Sequence, residues 1–266
     1  MSEIYTLQRG RTPLVVSAPH CGTWIPDALA PRCTERARAV EDTDWFVDRL
    51  YGFAVELGAS LIVPRASRYV IDLNRPSDNR PMYAGRNNTE LCPTRHFTGE
   101  PIYRAGAAPD AAEIATRVAQ YWQPYHDALA AELERLRAAH GHAVLFDAHS
   151  IKSELPWLFE GTLPQLNLGT VEGTSCAATL RDALGALCAA QREYTWVVDG
   201  RFKGGHITRQ YGNPAGGVHA VQLEMTQSSY MQEALPFAYL PQVAAGVQPQ
   251  VRRMLEAVLD FVEGRG

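Results

Sequence analysis

Residues 143–150 read Ala143-Val144-Leu145-Phe146-Asp147-Ala148-His149-Ser150. Four apolar residues in a row predict a buried strand. The strand then delivers Asp147, His149 and Ser150 to its carboxyl end, where open α/β sheets place their ligand sites. Leu14-Val15-Val16-Ser17-Ala18-Pro19-His20 has the same build, and Val218-His219-Ala220-Val221-Gln222-Leu223-Glu224 closes on a carboxylate. Three apolar runs, each ending in a metal-ligand or acid/base residue, predict convergence on one hydrolytic metal site.

Working outward, apolar runs and helical periods alternate along the chain. That alternation predicts an α/β fold with a mainly parallel or mixed central sheet flanked by helices, in a single catalytic domain over 1–266. Further strands are expected at 4–9, 60–64 and 194–199, with a short one around Trp157-Leu158-Phe159. Helices are expected at 42–57, 111–140, 176–190 and toward the C-terminus, where Val251, Met254, Leu255, Val258, Leu259 and Val262 share a face. Pro124 should kink the 111–140 helix or split it in two. Residues 166–175 read as a polar, glycine-bearing loop. Residues 76–110 read as a long irregular segment, a candidate cover for the site. His126 and His140 read as surface residues, and Cys92 and His96 as structural ones or bystanders.

Composition narrows the function. The net charge of −4 lacks the concentrated positive charge that nucleic-acid binding needs. No stretch approaches the ~20 apolar residues of a membrane span. Five cysteines without a CxxC pattern make neither a disulfide framework nor a zinc ribbon. Reduced thiols and a cytoplasmic location fit best. The expected partner is a small anionic molecule, with neither nucleic acid nor membrane involved, and the oligomeric state is not legible.

The chemistry follows from residue types. A catalytic zinc has three protein ligands and one open position for water. It also needs a nearby carboxylate that accepts the water's proton and returns it to the leaving nitrogen. His20, His149 and one aspartate fill the first role, and Glu224 the second. A buried carboxylate at the end of an apolar run needs either a partner or a task. Asp147 either orients a ligand imidazole or bonds to nearby backbone. Gly22, two residues after His20, allows close backbone approach to whatever His20 binds. Asp42 and Asp44 are helix caps or ligands. Arg75, beside Asn74, is an anion clamp or a salt-bridge partner of Asp72 or Asp78. Residues 201–212 gather Arg201, Lys203, His206 and Arg209 around two glycines, as a solvated basic loop or an anionic-substrate pocket. An acyl-enzyme through Ser150 or Cys21 ranks lower, since no G-x-S-x-G elbow surrounds the serine.

Seven stretches together carry a resemblance. They are Ser17-Ala18-Pro19-His20-Cys21-Gly22, Asp42-Thr43-Asp44-Trp45, residues 67–76 from Ser67 to Pro76, Phe146-Asp147-Ala148-His149-Ser150, Leu166-Asn167-Leu168-Gly169-Thr170, residues 200–209 from Gly200 to Arg209, and Val221-Gln222-Leu223-Glu224-Met225. The sequence resembles the N-formylglutamate amidohydrolase (deformylase) family of histidine degradation over nearly its whole length. The resemblance implies the α/β fold shared with zinc carboxypeptidases and aspartoacylases. It also implies hydrolysis of N-formyl-L-glutamate to formate and L-glutamate. By the same analogy His20 and His149 are zinc ligands, Glu224 is the catalytic carboxylate, and Asn74-Arg75 is a substrate-binding pair. The carboxypeptidase pattern His-x-x-Glu is broken, because Thr23 stands three residues after His20. The second ligand must come from elsewhere: Asp44, with Asp42 as the alternative.

The expected machinery is therefore one zinc ion on His20, Asp44 and His149, with Glu224 as proton shuttle. Arg75 and Arg209 are expected on the glutamate carboxylates, supported by Asn74, Arg201 and His206. Two other readings compete: a metal amidohydrolase acting on a different N-acyl amino acid, and a non-catalytic binding protein for acidic amino acids.

Overall fold

The structure is a computed structural model that describes residues 4–81 and 88–264. Its strands are β1 (Tyr5–Gln8), β2 (Leu14–Ser17), β3 (Ser60–Pro64), β4 (Ala143–Ile151), β5 (Leu166–Gly169), β6 (Trp196–Val198) and β7 (Val218–Thr226). The α-helices are α1 (Glu35–Arg38), α2 (Val47–Leu50), α3 (Ala111–Arg117), α4 (Gln123–His140), α5 (Ala178–Ala190), α6 (His206–Tyr211) and α7 (Pro241–Val262). The strands form one seven-stranded sheet in the order β1-β3-β2-β4-β7-β5-β6. Pairing is parallel through β3, β2, β4 and β7 and between β5 and β6. It is antiparallel at β1–β3 and β5–β7. The fold is thus α/β with a mixed sheet.

Strand side chains alternate between faces, and the two cores divide accordingly. Leu14, Val16, Val144, Phe146, Ala148, Val221, Leu223 and Met225 pack on one face with Leu180 and Leu184 of α5 and with Val251, Leu255 and Val258 of α7. Val15, Leu145 and Ala220 face the other way, toward Tyr125, Leu129, Leu133 and Leu136 of α4. On this second face the residue type changes along each strand. The positions that continue the series are Ser17 on β2, Asp147 and His149 on β4, and Gln222 and Glu224 on β7. The α4 face is apolar where the helix covers it and polar toward the carboxyl ends. Parallel pairing of β2, β4 and β7 brings those ends to one place, with Ser17 opposite Asp147, Asp147 opposite Gln222 and His149 opposite Glu224.

Several local expectations change. The 42–57 stretch is not one helix: only Val47–Leu50 is α-helical, followed by a short 3-10 turn at Gly52–Val55. Phe46 adopts a left-handed φ of 62°, which a continuous right-handed helix does not allow. Residues 166–169 form β5, a paired strand inside the sheet and not a loop. Trp157-Leu158-Phe159 is a turn, not a strand. The 111–140 region is indeed two helices, joined by a π turn at Val118–Trp122 just before Pro124. Of the irregular 76–110 segment, residues 82–87 lie outside the described residues.

Candidate metal and active site

His20 follows β2 in a tight turn, and Gly22 is required there. A Cβ on Gly22 would stand 2.1 Å from the Ala66 carbonyl oxygen. The close approach that this glycine permits is therefore to the 65–66 backbone and not to a ligand. The turn faces Asp44, whose backbone N–H donates to the His20 carbonyl at 3.1 Å. His149 comes from β4, and the His20 and His149 ring centroids are 4.9 Å apart.

The three side chains converge. Asp44 Oδ2 lies 3.2 Å from His149 Nδ1 and 3.6 Å from His20 Nδ1, and it accepts the Ser150 backbone N–H at 3.0 Å. One ligand atom from each of His20, Asp44 and His149 falls within 4.8 Å of the others, and all three residues are buried. Each imidazole is held from behind by a second carboxylate. His20 Nε2 is 2.6 Å from Asp72 Oδ1, and His149 Nε2 is 2.9 Å from Asp147 Oδ2. The tautomer that donates Nε2–H rearward turns each Nδ1 lone pair to the centre. Metal sites use this arrangement to fix the tautomer and raise ligand basicity. Asp44 Oδ1 is buried and makes no hydrogen bond. Two Nδ1 donors, a carboxylate with a spare oxygen and rear carboxylates on both rings fit a divalent cation of the zinc type.

Asp42 is settled elsewhere. Its Oδ2 accepts from the Tyr69 hydroxyl at 2.7 Å and the Phe97 N–H at 3.0 Å. Glu41, Asp42 and His96 also cluster, but Glu41 pairs with Arg36 and lies 3.9 Å from Lys152. This group is a polar staple that fixes Phe97, and His96 is one of its structural members.

Glu224 lines the cleft beside His20, Arg68, Asn74, Arg75, His149, Arg201, Phe202 and Gln222. Burial above all pushes its carboxyl up to about 8. Asp44 and Asp147 add to the rise, while His149 and Arg68 oppose it. The electrostatics at the histidine end run the other way. Burial opposes charge on Asp44 and Asp72, yet the adjacent imidazoles, with Arg68 at Asp72, hold both well below the usual carboxylate range. His149 is raised well above an ordinary histidine: burial disfavours its charge, but Asp147 and Asp44 outweigh it.

A His-Asp-His centre with a neighbouring buried carboxylate is a hydrolase arrangement, and comparison with known proteins says of which kind. The family profile of N-formylglutamate amidohydrolase matches residues 12–231. The chain belongs to the N-formylglutamate amidohydrolase family. A curated N-formylglutamate deformylase of Pseudomonas aeruginosa is 51% identical over 259 residues, covering 97% of each chain. One from Pseudomonas putida is 48% identical with the same coverage. A crystal structure of an N-formylglutamate amidohydrolase from Ralstonia eutropha superposes with a TM-score of 0.82 at 23% identity, over 97% of this chain and 98% of that one. A gene product of Agrobacterium tumefaciens gives 0.73 at 18% identity, over 98% and 96%. At those identities the structures speak for the fold.

Within this family member, the expected substrate residues fall into two groups. Asn74, Arg75 and Arg201 line the cleft. Arg75 is tied to the loop, donating to the Thr89 carbonyl at 3.0 Å and its hydroxyl at 2.7 Å, and pairs with neither Asp72 nor Asp78. Arg201 donates to the Leu158 carbonyl at 3.3 Å. His206 and Arg209 do not line the cleft. They flank a separate depression with Arg80, Pro81 and Gln210. The cause is packing: the His206 ring sits 5.8 Å from Trp122 and 5.6 Å from His126, and Arg209 Nε donates to the Gly204 carbonyl at 3.0 Å. His126 is itself buried and not on the surface, bonded to the Leu73 carbonyl at 2.9 Å.

Sequence reading missed Arg68. Its guanidinium donates to Asp72 Oδ2 at 2.8 Å, lies 3.6 Å from Asp44 Oδ1, and covers the Phe97 ring at 4.5 Å. The i, i+4 spacing of Arg68 and Asp72 was the available signal. Asp72 and Gln222 were also missed as site residues. Both stand two residues before a named site residue; in β7 that spacing marks a shared strand face for Gln222 and Glu224, whereas Asp72 lies in a loop where it marks none.

Proposed function

We propose that this protein hydrolyses N-formyl-L-glutamate to formate and L-glutamate with one divalent metal ion, zinc by donor chemistry, in histidine degradation. The single observation that carries the reading is the buried His20-Asp44-His149 centre with Glu224 on the neighbouring strand. The activity is that of the curated deformylases to which the chain is about half identical. Residues 1–266 act as one catalytic domain, in the cytoplasm. No helix among the described residues is long and apolar enough to cross a membrane.

The metal would be held by His20, Asp44 and His149, where it supplies Lewis-acid polarisation of the formyl carbonyl and lowers the pKa of water. Glu224 takes the proton of the attacking water, then donates it to the departing amine, which leaves as neutral glutamate nitrogen. Its raised proton affinity suits both halves of that exchange. Asp72 and Asp147 keep the imidazoles in register. Arg68, held by Asp72, puts a permanent positive charge on the cleft wall, where negative charge grows on the formyl oxygen. Arg75 and Arg201 supply the charge that binds the glutamate carboxylates, and Asn74 adds an amide donor. The test is formate release from N-formyl-L-glutamate by purified protein, before and after chelation and zinc return. Activity lost and then restored supports substrate and metal together. Undiminished release from protein free of metal would overturn the metal mechanism. Tight glutamate binding without release would favour a binding protein, and release only from larger acyl groups another amidohydrolase.

A further inference from the structure

We propose that Gln222 is the positioning residue for Glu224, itself fixed by the amino end of α6. Gln222 stands two residues before Glu224 on the same face of β7, is buried, and lines the cleft. Its Oε1 accepts the Gly205 backbone N–H at 2.7 Å, and the Thr208 hydroxyl lies 3.5 Å from the same oxygen. The reversed amide would set Nε2 against the Gly205 N–H, two donors with no acceptor between them, so the orientation is fixed. Nε2 therefore points along the strand and donates to Glu224 Oε2 at 3.3 Å. One carboxylate oxygen is held, and Oε1 is left to receive the proton.

Asn74 is held from the same segment: its Oδ1 accepts the Ile207 N–H at 2.8 Å. Two carboxamides are thus pinned by oxygen to residues 205–207, and that of Gln222 presents its nitrogen to Glu224. The Gly204-Gly205 turn is what lets the helix start come so close. A Cβ on Gly205 would stand 2.2 Å from Asn74 Nδ2. A group held in place by its neighbours before reaction begins needs no reorganisation at the transition state. Gln222 gives Glu224 that advantage.

This inference rests on Glu224 as proton shuttle, and the experiment separates the two. Steady-state kinetics on N-formyl-L-glutamate are measured for the metal-loaded wild type, Gln222→Met, Gln222→Glu and Glu224→Gln. Met keeps the length and loses both hydrogen bonds. Glu keeps the oxygen that Gly205 needs and loses the amide donor, so it serves if the Met variant folds poorly. Both Gln222 variants should lose about 10- to 100-fold in kcat with KM within about threefold and metal content unchanged, the pattern of an interaction that matters in the transition state. Raised KM with intact kcat would place Gln222 on the substrate and overturn the proposal. So would full activity in both variants, or a loss in Met alone that tracks its melting temperature. An inactive Glu224→Gln beside active Gln222 variants sinks this inference only. An active Glu224→Gln sinks the shuttle itself.

Discussion

His149 and Glu224 stand directly opposite each other on the parallel strands β4 and β7. Neighbouring strands lie about 4.8 Å apart in the hydrogen-bonding direction. The histidine proposed to hold the metal and the carboxylate proposed to move protons are thus set at a fixed spacing by backbone pairing alone. Glu224→Gln keeps that geometry and removes only the proton acceptor. We expect kcat to fall by about 10²–10⁴-fold, the usual weight of general acid–base catalysis, with bound metal unchanged by elemental analysis.

Asp147 offers a test of the rear carboxylates. Asp147→Asn retains shape but no longer favours the His149 tautomer that turns its Nδ1 lone pair inward. Metal affinity should weaken by about 10- to 100-fold, read by competition with a chromophoric chelator. Unaltered affinity would deny the carboxylate that role.

Gly205→Ala should act at a distance from the metal. The added methyl meets Asn74 Nδ2 at 2.2 Å and Oδ1 at 2.5 Å, and Asn74 cannot yield freely because Ile207 holds its oxygen. Overpacking of this kind costs about 1–3 kcal/mol. A lower melting temperature and reduced kcat are expected, with metal content retained.

His126 should take stability away in mild acid. Burial pushes its imidazole down to about 4, from about 6.5 in the unfolded chain. Between those values the unfolded state binds more protons, so stability rises with pH. The contribution is complete above about 6.5 and is lost as pH falls toward 4, for a total on the order of 3 kcal/mol. Glu224, whose carboxyl is raised to about 8, works in the opposite sense over the same range, so the reading is a difference: on going from pH 7 to 4.5, the denaturation midpoint of wild type should fall further, or rise less, than that of His126→Gln. Asp44 and Asp72, whose carboxyls are lowered, add their own losses only below the ordinary carboxylate range.

The central strands were legible because a strand buried on both faces must be apolar until it reaches its site. The polar residues at the ends of β2, β4 and β7 therefore announced themselves, and His20, Asp44 and His149 do converge. Asp44 was the sequence's choice with Asp42 as the alternative, and the structure brings Asp44, not Asp42, to the two imidazoles. Both are buried carboxylates in one turn, and which way each points depends on Tyr69 and Phe97, far along the chain. Helical spacing misled at 42–57 because bringing Asp44 to both imidazoles breaks the helix at Phe46. Strand β5 was hidden by its composition, since Leu166-Asn167-Leu168-Gly169 is too short and too polar to look paired. His206 and Arg209 were grouped with the cleft by charge, whereas α6 packs His206 against Trp122 and His126 and leaves Arg209 exposed. Arg68 escaped because an arginine before an apolar run reads as surface until its carboxylate partner is known.

The placement of His149 and Glu224 inside β4 and β7 has a consequence for how the protein fails. Interior strands exchange their amide hydrogens only through opening of the whole domain. Groups carried on them cannot drift out of alignment while the rest stays folded. On warming, activity should persist to the edge of the melting transition and vanish with it, and the slowest-exchanging amides should be those of the catalytic strands.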